Sequence, residues 1–315
     1  PSNDIYKIQN RKTACKIIEE LTGEIVSEYD NLLLDECIEL LMQNRNLILT
    51  GAPGTGKTYL AKQIASEIGK YKFVQFHPSY DYTDFVEGLR PKNDNGNIGF
   101  ERKDGVFKEF CKEALNNQSS NFVFIIDEIN RGEISKIFGE LFFSVDSGYR
   151  GEKGKVQTQY ANLIEDGDEF KDGFYIPENV YIIGTMNDID RSVESMDFAM
   201  RRRFAWKEIK AEDTQETILK DLGDLKDETI KRMNNLNKVI RNKETNLSEA
   251  YCIGAAYFKK IKDYEGDFNK LWENHLKGLL FEYTRGMQNQ ETILKELKNA
   301  YDLKDNLIND NSNQD

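Results

Sequence analysis

Leu47-Ile-Leu-Thr50 runs directly into Gly51-Ala-Pro-Gly-Thr-Gly-Lys-Thr58, and Tyr59-Leu-Ala-Lys-Gln-Ile-Ala-Ser-Glu-Ile68 follows with apolar residues at helical spacing. The order is strand, glycine loop, helix, and the loop has the spacing Gly, four residues, Gly-Lys, then Ser or Thr, which marks a phosphate-binding loop in this context. Gly51, Ala52, Pro53, Gly54, Thr55 and Gly56 are the expected nucleotide-binding loop, whose glycines let backbone N–H groups turn inward around phosphate oxygens. The following helix directs its positive end at the same oxygens, and Lys57 neutralises the β and γ phosphates. Thr58 is expected to hold Mg2+ through its hydroxyl.

Working outward, Phe122-Val-Phe-Ile-Ile126 is an apolar run ending in Asp127-Glu128. Asp127 is expected to meet Mg2+ through a water, and Glu128 to polarise the attacking water, two needs of phosphoryl transfer to water. Gly184-Thr-Met-Asn187 ends a further strand, so Asn187 is a candidate polar sensor of the γ-phosphate, with Asp190 and Arg191 within one turn. Asp197-Phe-Ala-Met-Arg-Arg-Arg-Phe204 places three arginines together at what reads as a helix end. Successive helical residues point in different directions, so Arg201, Arg202 and Arg203 cannot all face one phosphate. One or two are expected to act in trans, stabilising transition-state charge on a neighbouring subunit's nucleotide.

The rest of the chain supplies the frame. Asn31 to Met42 reads as a helix, and Phe73–Phe76, Asn121–Ile126 and Asn179–Gly184 read as strands separated by helical patterns. Unbroken apolar strands belong inside a parallel sheet covered on both faces, so an α/β domain with helices flanking a parallel sheet is predicted. Pro91 to Gly105 and Ser147 to Gly173 are rich in Gly, Asn, Asp and Lys and read as exposed hairpins or loops. Strand signals stop beyond Trp206, and charged helical stretches run to about Leu303. The expected organisation is a leading segment 1–30, a large α/β domain 31–208, a small all-helical lid domain 209–305 and a frayed tail 306–315.

Composition excludes several classes. The 315 residues carry 43 Lys+Arg against 55 Asp+Glu, a net charge of −12, which argues against a chain that coats duplex DNA by itself. No apolar run approaches the roughly 18 residues of a membrane helix, so no membrane partner is expected. Four scattered cysteines and two histidines exclude a disulfide scaffold and a His/Cys zinc site. No secretory signal precedes the module, so a cytoplasmic setting is expected. The chain begins at Pro1, which suggests a piece of a longer protein.

The phosphate loop, Asp-Glu pair, sensor Asn, arginine cluster and helical lid together resemble an AAA+ P-loop NTPase module. Phe76-His-Pro-Ser-Tyr-Asp-Tyr-Thr-Asp-Phe-Val-Glu-Gly-Leu-Arg-Pro91, Asp127-Glu-Ile-Asn-Arg-Gly-Glu-Ile-Ser-Lys-Ile-Phe-Gly-Glu-Leu141 and Met186-Asn-Asp-Ile-Asp-Arg-Ser192 narrow the resemblance to McrB-type motor subunits of McrBC modified-cytosine restriction systems. So do Ile253-Gly-Ala-Ala-Tyr-Phe258 and the lid segment from Leu271-Trp-Glu-Asn-His.

The resemblance implies a GTP-hydrolysing hexameric ring working with Mg2+ and a McrC-like endonuclease subunit. It implies that Met186, Asn187 and Asp190 carry the family's Met-Asn-x-x-Asp signature, and that Arg201 and Arg202 are finger and sensor. Base choice rests on the resemblance, because a phosphate loop does not read guanine against adenine; ATP stays open as the substrate. DNA is expected to be reached through an N-terminal domain absent from this segment or through the central pore. Two other readings use the same residues: an ATP-driven AAA+ protein remodeller, and a nucleotide-gated assembly scaffold with slow hydrolysis.

Overall fold

The computed structural model describes residues 28–94, 97–189, 198–245 and 247–304. In chain order the main elements are α1 (Glu28–Asn44), β1 (Asn46–Thr50), α2 (Lys57–Ile68), β2 (Lys70–Gln75), β3 (Glu87–Asp94), β4 (Asn97–Asp104), α3 (Val106–Leu115), β5 (Phe122–Asp127), β6 (Val180–Thr185) and β7 (Ala205–Glu208). Beyond them lie α4 (Lys226–Ile240) and α5 (Gln290–Tyr301) among shorter helical turns.

The three most apolar runs become the inner strands. β1, β5 and β6 are buried along essentially their whole length, as parallel strands covered on both faces must be. The sheet order is β2-β5-β6-β1-β7, and every pairing in it is parallel. β6 therefore separates β1 from β5. Behind β5, Phe85 and Phe107 stack with ring centres 4.7 Å apart, and Phe107 meets Phe124 edge-on at 4.9 Å.

Cα packing divides the chain into two units. The first gathers residues 28–50, Lys57–Met186 and 198–208, and holds the sheet. The second gathers Gly51–Gly56, Asn187–Ile189 and 209–304. Its core joins Met233, Leu236 and Ile240 of α4 to Phe258, Trp272, Leu276 and Leu297, and Ala52 of the glycine loop belongs to that core.

Several expectations change. A strand lies where strand signals were expected to stop: β7 pairs with β1, and its half-exposed Ala-Trp-Lys-Glu sequence lacks the apolar run that betrays a buried strand. β2 starts at Lys70 rather than Phe73, its lysines tolerated because it is an exposed edge. The expected hairpin is present, but it begins at Glu87, with Glu87 facing Asp104 across the ladder. The 147–173 segment is more than a solvated loop: Arg150, Ile164 and Phe170 are buried, and Val156 bridges Phe174. The segments 1–27, 190–197 and 305–315 lie outside the described residues, so the leading segment, Asp190 and the tail receive no structural account.

Candidate nucleotide-binding site

β5 and β6 end side by side, and three polar side chains meet there. The Thr58 hydroxyl, one residue into α2, donates to Asp127 Oδ1 at 2.7 Å. The Thr185 hydroxyl, at the end of β6, donates to the same oxygen at 2.6 Å. Thr185 in turn accepts the Glu128 amide at 3.3 Å. Thr185 was not among the sequence candidates. Its only signal is a hydroxyl closing the buried run Val180-Tyr-Ile-Ile-Gly-Thr185, and that signal acquires meaning once β6 is known to lie against β5.

Glu128 occupies the left-handed region, φ 52° and ψ 45°. A residue with a Cβ reaches that region at a cost of about 1–2 kcal/mol, and such strain concentrates at functional positions. It turns the chain sharply at the end of β5. The Glu128 carboxylate is largely buried, and Arg131 Nε sits 3.2 Å from its Oε2.

Thr58 and Asp127 form an all-oxygen pair. Mg2+ takes hard oxygen ligands, keeps several waters and is usually held by one or two protein groups beside substrate phosphates. The pair fits that chemistry: the Thr58 proton is committed to Asp127, leaving the hydroxyl lone pairs for a cation. Among the described residues no group of three or more His, Cys, Asp or Glu side chains is arranged to hold a metal by itself.

In the second unit, Gly51, Gly54 and Gly56 have φ of 139°, 77° and 82°. These values favour glycine strongly, which accounts for the loop's composition. Lys57, the next residue after this stretch, is buried.

Residues 46–204 match the AAA domain family of the dynein-related subfamily. The chain belongs to this AAA family. It is 39% identical over 237 residues to the EcoKMcrB subunit of a type IV methyl-directed restriction enzyme of Escherichia coli (strain K12), covering 71% of this chain and 50% of that protein. It is 28% identical over 204 residues to YdiS, a component of the type II restriction enzyme BsuMI of Bacillus subtilis (strain 168), covering 55% of this chain and 60% of that one. The chain thus spans about half the length of the first relative and less than two thirds of the second. The AAA+ fold and the resemblance to McrB-type subunits are both borne out.

The three arginines of this AAA domain have different surroundings. Arg201 lies over the Trp206 ring, 4.4 Å from its centre, while the Trp206 indole donates to the Arg201 carbonyl. Arg203 lies over Phe142 at 4.4 Å and donates to the Ala199 carbonyl. Arg202 is exposed, and no hydrogen bond or ion pair engages its guanidinium among the described residues. Asn187 is half-buried within the second unit. The Phe76–Pro91 segment serves the AAA core: Phe76, Tyr82 and Phe85 are buried, and Asp81 caps the turn Tyr82–Phe85 by accepting the Thr83 and Asp84 amides. Burial, with Asp84 and Asp81 nearby, pushes the Tyr80 hydroxyl up to about 12.

Proposed function

We propose that this AAA domain is the nucleotide-hydrolysing motor of a DNA restriction system, acting as a ring of copies on GTP with Mg2+ and activating a McrC-like endonuclease subunit. The convergence of Thr58 and Thr185 on Asp127, with Glu128 strained beside them, carries the hydrolytic part. The 39% identity to a methyl-directed restriction subunit supports the biological part.

In this reading residues 31–208 form the nucleotide-binding domain and 209–305 a lid. Gly51 to Gly56 cradle the phosphates and Lys57 neutralises them. Thr58 and Asp127 would hold Mg2+, which would supply neutralisation of the phosphate charge. Asp127 is kept in place by Thr185. Glu128 takes a proton from the attacking water, and Asn187 and Asp190 sense the γ-phosphate. Arg202, aided by Arg201, reaches a neighbouring copy's nucleotide, so that turnover requires assembly. Arg203 is a packing residue. DNA is reached through the pore or a domain outside this chain, in the cytoplasm. No described helix is long and apolar enough to cross a membrane.

The test is the steady-state rate of GTP and ATP hydrolysis at rising protein concentration. GTP should be preferred and the rate per chain should rise with concentration. Preference for ATP would move the function to an ATP-driven remodeller; binding without turnover at any concentration would make the chain a scaffold.

A further inference from the structure

Three donors of the second unit hold consecutive carbonyls of the glycine loop. The Gly254 amide donates to Pro53 O at 2.9 Å, and the Ala256 amide to Gly54 O at 3.0 Å. The Thr214 hydroxyl donates to Thr55 O at 2.7 Å. In a trans peptide the C=O and the following N–H point in opposite directions. Fixing these three carbonyls on the helical side therefore turns the Gly54, Thr55 and Gly56 amides to the other side. Positive φ at Gly54 and Gly56, with Thr55 between them on the ordinary side, is the alternation that makes successive amides converge into an anion-binding nest.

The packing behind the loop leaves no slack. A Cβ on Gly254 would lie 2.2 Å from the Gly54 carbonyl carbon and 2.3 Å from the Thr55 nitrogen. A Cβ on Gly54 would lie 2.6 Å from the Tyr257 ring. Thr214 stands out because it occupies the N-cap position of the turn Gln215–Ile218 yet makes no side-chain cap there. Its buried hydroxyl is committed to Thr55 instead.

We infer that Thr214 is a positioning residue for nucleotide: with the Gly254 and Ala256 amides it presets the phosphate loop, so that the loop's ordering does not have to be supplied by the ligand. The inference rests on reading Gly51–Thr58 as the phosphate loop. Once phosphates are bound they hold the same amides themselves, so the Thr214 contribution belongs to affinity more than to the chemical step.

The experiment uses the full chain with Thr214→Val, which keeps shape and removes the donor, and Thr214→Ser, which restores it. Binding of fluorescently labelled GDP and GTP, KM and kcat for GTP, and the thermal midpoint are measured together. Thr214→Val should raise both dissociation constants about tenfold, as expected for one lost buried hydrogen bond, and raise KM by more than it lowers kcat. Its thermal midpoint should fall by only a few degrees, about what one such bond contributes in a chain of this size, and Thr214→Ser should recover most of the affinity. Parent-like binding by Thr214→Val, or no recovery with serine, overturns the inference while leaving the phosphate loop in place. Failure of the unsubstituted chain to bind either nucleotide overturns the phosphate-loop reading and the inference with it.

Discussion

Thr185 and Thr58 donate their hydroxyl protons to one and the same oxygen, Asp127 Oδ1, at 2.6 and 2.7 Å. They come from different elements, β6 and α2, so the Asp127 carboxylate is steered from two sides. Of the two, Thr185 also accepts the Glu128 amide, which ties the Asp127 carboxylate, the candidate metal ligand, to the candidate base. Removing the Thr185 hydroxyl should loosen both at once. Thr185→Val is expected to lower turnover about 10- to 100-fold, the usual cost of losing a partner of a metal-site group, with nucleotide affinity changed much less. Thr185→Ser should keep most of the activity. The check is kcat at saturating GTP and Mg2+ beside equilibrium binding.

Glu128 is the candidate base, and its left-handed backbone is strain retained beside the Asp127 carboxylate. Glu128→Gln should bind nucleotide within a few-fold of the parent and lose at least about 100-fold in hydrolysis, a typical contribution of a positioned base. Lys57→Ala should lose binding itself. Substantial turnover in Glu128→Gln would remove the water-activating role.

Arg202 has an exposed guanidinium, in contrast to Arg203, which is packed on Phe142. Arg202→Ala should bind nucleotide normally and fail in turnover. Mixing it with Lys57→Ala chains should restore part of the hydrolysis, because each variant supplies what the other lacks across an interface. No recovery in the mixture would assign Arg202 a role within its own chain.

Beneath the β3–β4 hairpin, Lys108 Nζ lies 2.6 Å from Glu87 Oε2, and both side chains are fully buried. Arg102, Asp104, Lys112 and Asp168 extend the network. Burial alone would raise the Glu87 and Asp104 carboxyls, but the bonds from Lys108 to Glu87 and from Lys112 to Asp104, with their neighbours, outweigh it and hold both below the usual range. Carboxyls depressed in the folded state stabilise it above their unfolded values of about 4, and that stability is lost as pH falls through the depressed values. Urea unfolding should therefore show a falling midpoint below about pH 4. Lys108→Met removes the nearer of two cations from Glu87, leaving Arg102 Nη1 at 3.1 Å from the same oxygen, and should cost up to about 3–5 kcal/mol at neutral pH, the range for breaking a buried pair. A midpoint unchanged by that substitution would mean the network is not coupled as described.

The readable parts of the site are those written in contiguous residues. The phosphate loop and Asp127-Glu128 each follow an apolar strand directly, so motif and context lie in one stretch. Thr185 depends on β6 lying against β5, and strand order is not local information. Thr214 depends on a contact 159 positions away in the chain, and a lone threonine carries no mark of it. β7 escaped because a short, half-exposed edge strand needs little apolar sequence. The burial of Arg150 and Phe170 escaped because the Gly- and Asp-rich residues around them read as solvated.

The most direct test of a nucleotide-driven, assembling motor is one titration of the chain with labelled GTP and with labelled ATP in Mg2+, following bound nucleotide and particle mass together. The account predicts tighter binding of GTP and growth from single chains into a closed ring as the sites fill. Saturation by either nucleotide with the chain remaining monomeric at every concentration would contradict it.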